Sequence, residues 1–181
     1  AALSGLGALR GGAGLVYVAT PRSVQPIVAA IEPSYLTIPL PEDGEGRTTI
    51  EALETLRPHL LAADSVAVGP GWGQSAGLGQ LLVVILRTTT VPCVVDADAL
   101  NLLVGQSSWL ESSPGPRILT PHPGEFARLT GRSTAQVQAN RETLASDFAR
   151  EHRVILVLKG AGTVITDGER IHLNQTGNPG M

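Results

Sequence analysis

Hydrophobic positions along this chain change period in a regular way. Short runs that are apolar at nearly every position alternate with longer stretches in which apolar residues recur every three or four positions, and Gly, Pro and Asp punctuate the joins. The runs Gly14–Thr20, Tyr35–Pro39, Ser65–Gly69, Pro92–Asp96, Arg117–Thr120, Val154–Lys159, Thr163–Thr166 and Arg170–Leu173 predict strands. The stretches Ala2–Arg10, Ser23–Ile31, Ile50–Ala62, Ala76–Arg87, Ala99–Val104, Pro123–Leu129 and Ala135–Glu151 predict helices. In the last of these, Val137, Leu144 and Phe148 share one face, and Arg141 and Glu142 are expected to turn outward. Ser133, three residues before Gln136, predicts a capping box at its start. Asp167-Gly168 supplies the positive-φ turn of a hairpin between Thr163 and Leu173. Repeated β-then-α units predict an α/β fold: a doubly wound, mostly parallel sheet flanked by helices, with right-handed crossovers and a C-terminal hairpin. Strands this aliphatic are expected to be covered by helices on both faces. No linker, repeat or low-complexity tract interrupts residues 1–181, so one domain is expected. Pro39–Arg47, acidic and glycine-rich, reads as a surface loop.

Composition narrows the function classes. Residues are 43% hydrophobic but only 3% aromatic, so the core must be built from Ala, Val, Leu and Ile. Net charge is −3 and no Lys/Arg cluster occurs, which argues against nucleic acid as a partner. The longest uninterrupted aliphatic stretch, Leu81–Leu86, is far short of the roughly 20 residues that cross a bilayer, so no membrane association is expected. The single cysteine, Cys93, excludes an internal disulfide and a multi-thiolate metal site. A buried thiol in a reducing cytoplasm is the expectation.

In open parallel sheets, ligands bind beyond the carboxyl ends of the strands, so residues directly after the aliphatic runs carry most information. The third run is followed by Gly69-Pro70-Gly71-Trp72-Gly73, which either is a tight turn or lets backbone amides approach a ligand. The fourth ends in Asp96-Ala97-Asp98-Ala99-Leu100-Asn101. Its two carboxylates can hold Mg²⁺ through water or position a phosphate, although Asp98 can equally cap the next helix. After the fifth comes Thr120-Pro121-His122-Pro123-Gly124-Glu125-Phe126-Ala127-Arg128-Leu129. Two prolines pin the backbone around His122, while Glu125 and Arg128 share a helix face, either as a surface ion pair or as part of a site. The sixth ends in Lys159-Gly160-Ala161-Gly162-Thr163, a lysine and small residues that suit a polyphosphate or merely finish a strand.

The order of these segments, closing with Asn178-Pro179-Gly180-Met181 and opening with Ala8-Leu9-Arg10-Gly11-Gly12-Ala13-Gly14-Leu15-Val16, resembles the ADP-dependent (S)-NAD(P)H-hydrate dehydratase family of ribokinase-like proteins. The Thr120–Leu129 stretch is the most specific element. The resemblance implies a metabolite-repair lyase that dehydrates (S)-NADHX or (S)-NADPHX to NADH or NADPH at the expense of ADP, giving AMP and phosphate. The Pro-His-Pro-Gly-Glu form points to ADP rather than ATP, with Mg²⁺ as cofactor. It implies that Gly73, His122, Glu125 and Arg128 bind the hydrated dinucleotide. Lys159, Gly160, Ala161, Gly162 and Thr163 would bind the AMP part, and Asp96 and Asp98 would stand behind phosphate or Mg²⁺. By the same resemblance a homo-oligomer is expected, with an NAD(P)HX epimerase as a possible fused or separate partner. The family's catalytic Asp is expected beyond Met181, so these residues alone are expected to form an inactive piece, incomplete at both ends.

Two other readings compete: a small-molecule kinase of the same fold, and a nucleotide-binding fragment without catalysis. A dinucleotide oxidoreductase is disfavoured because no Gly-x-Gly-x-x-Gly follows a first strand.

Overall fold

A computed structural model of the protein describes residues 1–106 and 113–177. Every strand and helix expected from periodicity is present, with the strands generally shorter than their aliphatic runs. Helix α1 (Ala2–Arg10) leads into β1 (Tyr17–Pro21), α2 (Gln25–Ile31), β2 (Leu36–Leu40) and α3 (Ala52–Ala62). Four units follow: β3 (Val66–Val68) with α4 (Ala76–Thr88), β4 (Cys93–Val95) with α5 (Asp98–Leu102), β5 (Arg117–Leu119) with α6 (Pro123–Thr130), α7 (Thr134–Ala139) and α8 (Arg141–His152), then β6 (Ile155–Leu158). Strands β7 (Thr163–Thr166) and β8 (Ile171–Asn174) form the expected hairpin.

Strands β3 to β6 are parallel and β7 and β8 continue the sheet antiparallel, in the order β3-β4-β5-β6-β7-β8. The sheet therefore advances one strand at a time. Strands β1 and β2 form a separate parallel pair rather than extending it.

Alternate strand residues Val68, Val95, Leu119, Leu156, Leu158 and Val164 are buried on one face with α4 (Leu81, Leu82, Ile85, Leu86), Phe126 of α6 and Phe148 of α8. The two rings meet edge-on at 5.4 Å. The core is aliphatic, as composition requires, with these two phenylalanines closing the helix layer. The other face differs from expectation: Ile155 remains 36% exposed, and Ile118, Val157 and Ile165 on the same face are only partly buried. The described helices thus bury one face of this part of the sheet, not both.

A second difference is a helix break. The expected single helix over Ala135–Glu151 stops at Ala139 and restarts at Arg141, because Asn140 sits at φ −138°, ψ 40°. The capping box at Ser133 and Gln136 forms as expected.

Candidate functional site

Parallel pairing puts the loops after β3, β4, β5 and β6 on one rim, and hydrogen bonds stitch each loop to its neighbour. The Asp96 amide donates to the Val68 carbonyl at 3.1 Å, the Thr120 amide to Val95 at 3.1 Å, and the Lys159 amide to Pro121 at 2.9 Å. The glycine turn, the acidic turn, the histidine turn and the lysine turn therefore form one continuous edge.

The three glycines of the first turn have different jobs. Gly69 sits at φ +114°, and a Cβ there would collide with the Asp96 carbonyl and lie 2.7 Å from the Ala99 Cβ. Gly69 is therefore required by the close approach of two adjacent loops. Gly71, at φ +77°, has nothing within 4 Å of a built Cβ, and Gly73, at φ +74°, faces the Arg47 side chain at 3.8 Å. The Gly73 amide donates to Asp98 Oδ2 at 2.8 Å, and Gln74 Nε2 donates to the Asp98 carbonyl at 3.0 Å. Asp98 does not cap α5. The N-cap is Ala97, held at φ 52° with no side-chain bond, and Asp98 opens the helix as its first residue. There its charge complements the helix dipole while its carboxylate reaches across to the glycine turn.

Asp96, at the end of β4, accepts from Lys159 Nζ at 2.8 Å across the tip of β5. Both side chains are partly exposed, Lys159 42% and Asp96 31%. Burial pushes the Asp96 carboxyl upward, but hydrogen bonds from Lys159 and Thr120, the Lys159 charge and the Ala97 amide outweigh it and hold the group below its ordinary value.

His122 is the N-cap of α6. Its Nδ1 accepts from the amides of Gly124 at 3.0 Å and Glu125 at 3.4 Å, while Glu125 Oε2 accepts from the His122 amide at 2.8 Å. This is a capping box with imidazole in place of a hydroxyl. An accepting Nδ1 carries no proton, so the capped imidazole keeps its proton on Nε2, 3.4 Å from Glu125 Oε1. Half of the His122 side chain is exposed, whereas that of Glu125 is only 8% exposed. Glu125 is turned to His122, and Arg128 donates from Nε to Asn101 Oδ1 at 2.9 Å, so α5 and α6 are tied together across the rim.

The last turn holds Gly160 at φ +137° and Gly162 at φ +66°, closed by a Thr163 Oγ1 hydrogen bond to the Gly160 carbonyl at 2.9 Å. Exposed Ala161 lies between the glycines. Arg141, expected to face outward, instead donates from the first turn of α8, just after the break at Asn140, to the carbonyls of Leu158, Lys159 and Gly162.

A family model for NAD(P)H-hydrate dehydratase matches residues 1–181. The chain belongs to the NAD(P)H-hydrate dehydratase family. It is 44% identical over 181 residues to the bifunctional NAD(P)H-hydrate repair enzyme of Moorella thermoacetica, covering 99% of this chain and 34% of that protein. Among solved structures it is similar to the ADP/ATP-dependent NAD(P)H-hydrate dehydratase of Bacillus subtilis, with a TM-score of 0.77 and 31% identity over 98% of this chain and 61% of that one. A ribokinase-like protein of Enterococcus faecalis shares the fold at a TM-score of 0.77 and 24% identity, covering 99% and 59% of the two chains. The chain thus spans about a third of the bifunctional relative and about three fifths of the chains of these two structures.

In this dehydratase-family chain, the described residues include no group of three or more metal-ligating side chains. Asp96 and Asp98 are engaged by Lys159 and Gly73, so the donor set does not fit a cation held by protein alone. It fits one that arrives on nucleotide phosphates and keeps much of its water, the usual habit of Mg²⁺. A depression of about 330 Å³ lies at the opposite, amino ends of β5 and β6, lined by Arg117, Arg150, Arg153, Asp167 and Glu169 among others. It contains none of the residues singled out by the family's motifs. No helix among the described residues is long and apolar enough to cross a membrane. The segment Asn178–Met181 lies outside the described residues.

Three residues of this rim were not flagged by their types. Asn101 orients Arg128. Arg47, from the acidic loop, lies against Gly73, with its Nη1 3.5 Å from the Gln74 carbonyl. Arg141 is the third. Its one sequence signal is an arginine in the first turn of a helix, where a cation opposes the dipole.

Proposed function

We propose that this chain supplies the substrate and nucleotide rim of an enzyme that restores hydrated NADH and NADPH by ADP-dependent dehydration. The observation that carries the reading is the stitched edge: Gly73 held by Asp98, Asp96 held by Lys159, and exposed His122 between them. Family membership supports it. In the reaction, the hydroxyl on the hydrated nicotinamide ring attacks the terminal phosphorus of ADP, and AMP leaves. The ring nitrogen lone pair then expels the new phosphate ester, the neighbouring ring carbon gives up a proton, and the conjugated dihydropyridine returns. Hydroxide is a poor leaving group, whereas phosphate, with a second pKa near ~6, departs readily. Mg²⁺ bound with the nucleotide would neutralise its phosphate charge.

The residues here then bind and align. Gly73, His122, Glu125 and Arg128 face the hydrated dinucleotide, with Glu125 acting through its hold on His122 and Arg128 through Asn101. Lys159 to Thr163 face the AMP part, the ammonium matching phosphate charge and the glycines permitting close backbone approach. Alignment of phosphorus and hydroxyl is the largest part of the task. The base for the hydroxyl proton is assigned to none of the described residues. A cytoplasmic protein, a homo-oligomer and an epimerase partner belong to the same reading.

The test uses the natural full-length protein with (S)-NADPHX or (S)-NADHX, ADP and Mg²⁺. Return of dihydronicotinamide absorbance with stoichiometric AMP and free phosphate is expected. A phosphorylated alcohol accumulating without phosphate release would replace this reading with that of a small-molecule kinase.

A further inference from the structure

We propose that Arg141 is the positioning residue of the nucleotide turn, fixing from behind the backbone whose other side meets the anion. The inference rests on the assignment of Lys159–Thr163 to nucleotide, and it concerns a residue on a different element. Arg141 Nη2 donates to the Leu158 carbonyl at 2.9 Å and to those of Lys159 and Gly162 at 3.3 Å, and Nη1 reaches the Lys159 carbonyl at 3.4 Å. Gln138 Oε1 accepts from Nη1 at 3.1 Å and braces the guanidinium from the preceding helix.

The consequence follows from peptide geometry. Every peptide bond described here is trans, so each N–H points opposite to the C=O of the same unit. Three units of the turn have their carbonyls drawn toward Arg141, and their amides, on Lys159, Gly160 and Thr163, are thereby aimed away from it. The first already behaves so: the Leu158 carbonyl meets Arg141 while the Lys159 amide donates to Pro121 on the other side. Without the guanidinium the Lys159 and Gly162 carbonyls lose this partner and can rotate toward the rim, where they would repel phosphate, while the Leu158 unit stays held by the Lys159 amide on Pro121. Gly160 is shaped to this contact as well, since a Cβ there would lie 3.0 Å from Arg141 Nη1 at φ +137°.

The local sequence bears a mark of this role. Neither proline nor glycine occurs between Ser133 and Gly160, yet the helix breaks at Asn140. The restart sets Arg141 in the first turn of α8, a position that the helix dipole disfavours. A cation placed against the helix dipole is one held by its tertiary contacts.

The experiment compares full-length wild type with Arg141→Ala and Arg141→Lys. It measures the ADP dissociation constant by calorimetry, then KM for ADP and for (S)-NADPHX separately, and the thermal midpoint. Arg141→Ala is expected to weaken ADP about tenfold or more, the loss of roughly one to two hydrogen bonds to a charged donor. KM for the hydrated dinucleotide should stay within about twofold, since the Gly73 and His122 turns lie elsewhere on the rim. Arg141→Lys keeps the charge and stem but not the planar fork, and should recover only part of the affinity. ADP affinity unchanged in Arg141→Ala, or equal loss for both substrates, or full recovery by Arg141→Lys, overturns the inference. Should Arg141→Ala not fold, Arg141→Lys alone decides on the same constants. Wild type that binds no ADP overturns instead the nucleotide assignment itself.

Discussion

The glycine turn allows a sharp test, because Gly69 and Gly71 are two residues apart, both at positive φ, and surrounded differently. Alanine at either position must adopt a backbone conformation that costs about 1–2 kcal/mol for an L-residue. At Gly71 that is the whole cost, since a Cβ there meets nothing within 4 Å. Reduced freedom of the unfolded chain returns about 0.4–1 kcal/mol, leaving a net loss of roughly 0–1.5 kcal/mol. At Gly69 the Cβ runs into the Asp96 carbonyl and sits 2.7 Å from the Ala99 Cβ, so strand β4 and the start of α5 must shift. Overpacking of that kind adds about 1–3 kcal/mol, for a total near 2–5 kcal/mol before the same offset. At this chain length each kcal/mol moves the thermal midpoint by about 2–4 °C. Calorimetric or denaturant unfolding of the two variants should therefore separate them clearly, with Gly69→Ala the more damaged by several degrees. Gly69→Ala should also weaken ADP binding, because the displaced peptide carries Asp96 and, through it, Lys159. Equal midpoints for the two alanine variants would refute the claim that loop contact, not ligand access, selects the first glycine.

Three further outcomes follow. The Asp96 carboxyl is held below its ordinary value of 3.8, so its stabilising effect is complete above that value and is lost as pH falls through the lowered one. Lys159→Met should flatten this acid limb in urea midpoints measured across that range, and an unchanged limb would mean the ion pair contributes nothing to it. At the hairpin turn, Asp167 accepts from the amides of Glu169 and Arg170 and from the Arg170 guanidinium, which brings its pKa down from 3.8 to about 2. Asp167→Asn should thus erase a loss of stability that wild type shows between those two values, read from acid titration followed by circular dichroism. Burial pushes the Cys93 thiol up to about 11, so alkylation of the native protein at mildly alkaline pH should run at least ~10-fold slower than that of the urea-unfolded chain; comparable rates would place the thiol at the surface.

Period and punctuation located every strand and each helical stretch, though not the division of α7 from α8, because the local signals agreed with the tertiary arrangement. Aliphatic triplets such as Cys93–Val95 can only be strands once Pro92 and Asp96 bound them, and Pro123 fixes the start of α6 whatever surrounds it. The failures have one physical source. Residues 134–152 contain no breaker and keep a helical stripe, so the break at Asn140 is invisible until the carbonyls of residues 158–162 are brought beside Arg141. Asp98 was ambiguous for the same reason: a carboxylate before a helix is a good cap, and only the approach of the Gly73 amide gives it another partner. Pro-His-Pro was legible as an ordered presentation of imidazole, but not as a capping box, since His is an uncommon acceptor at that position.

On the proposed function, the same contacts would let a rim with a net-acidic chain behind it accept a polyphosphate. Lys159, the cation at the tip of β6, is already paired with Asp96, and Arg141 is already committed to carbonyls. An arriving phosphate therefore meets fixed donors rather than freely moving charges. Because the lysine is held at 2.8 Å by a half-buried carboxylate, its rotamer freedom is lost on folding instead of on binding. The neighbouring Asp96 weakens the field that phosphate experiences, so affinity must come chiefly from backbone amides in the glycine turn, whose direction the guanidinium sets. Oriented dipoles that need not reorganise are the more effective way to stabilise charge that moves during phosphoryl transfer. On this argument, altering the direction of the turn should harm nucleotide binding more than altering the charge of the one lysine in front of it.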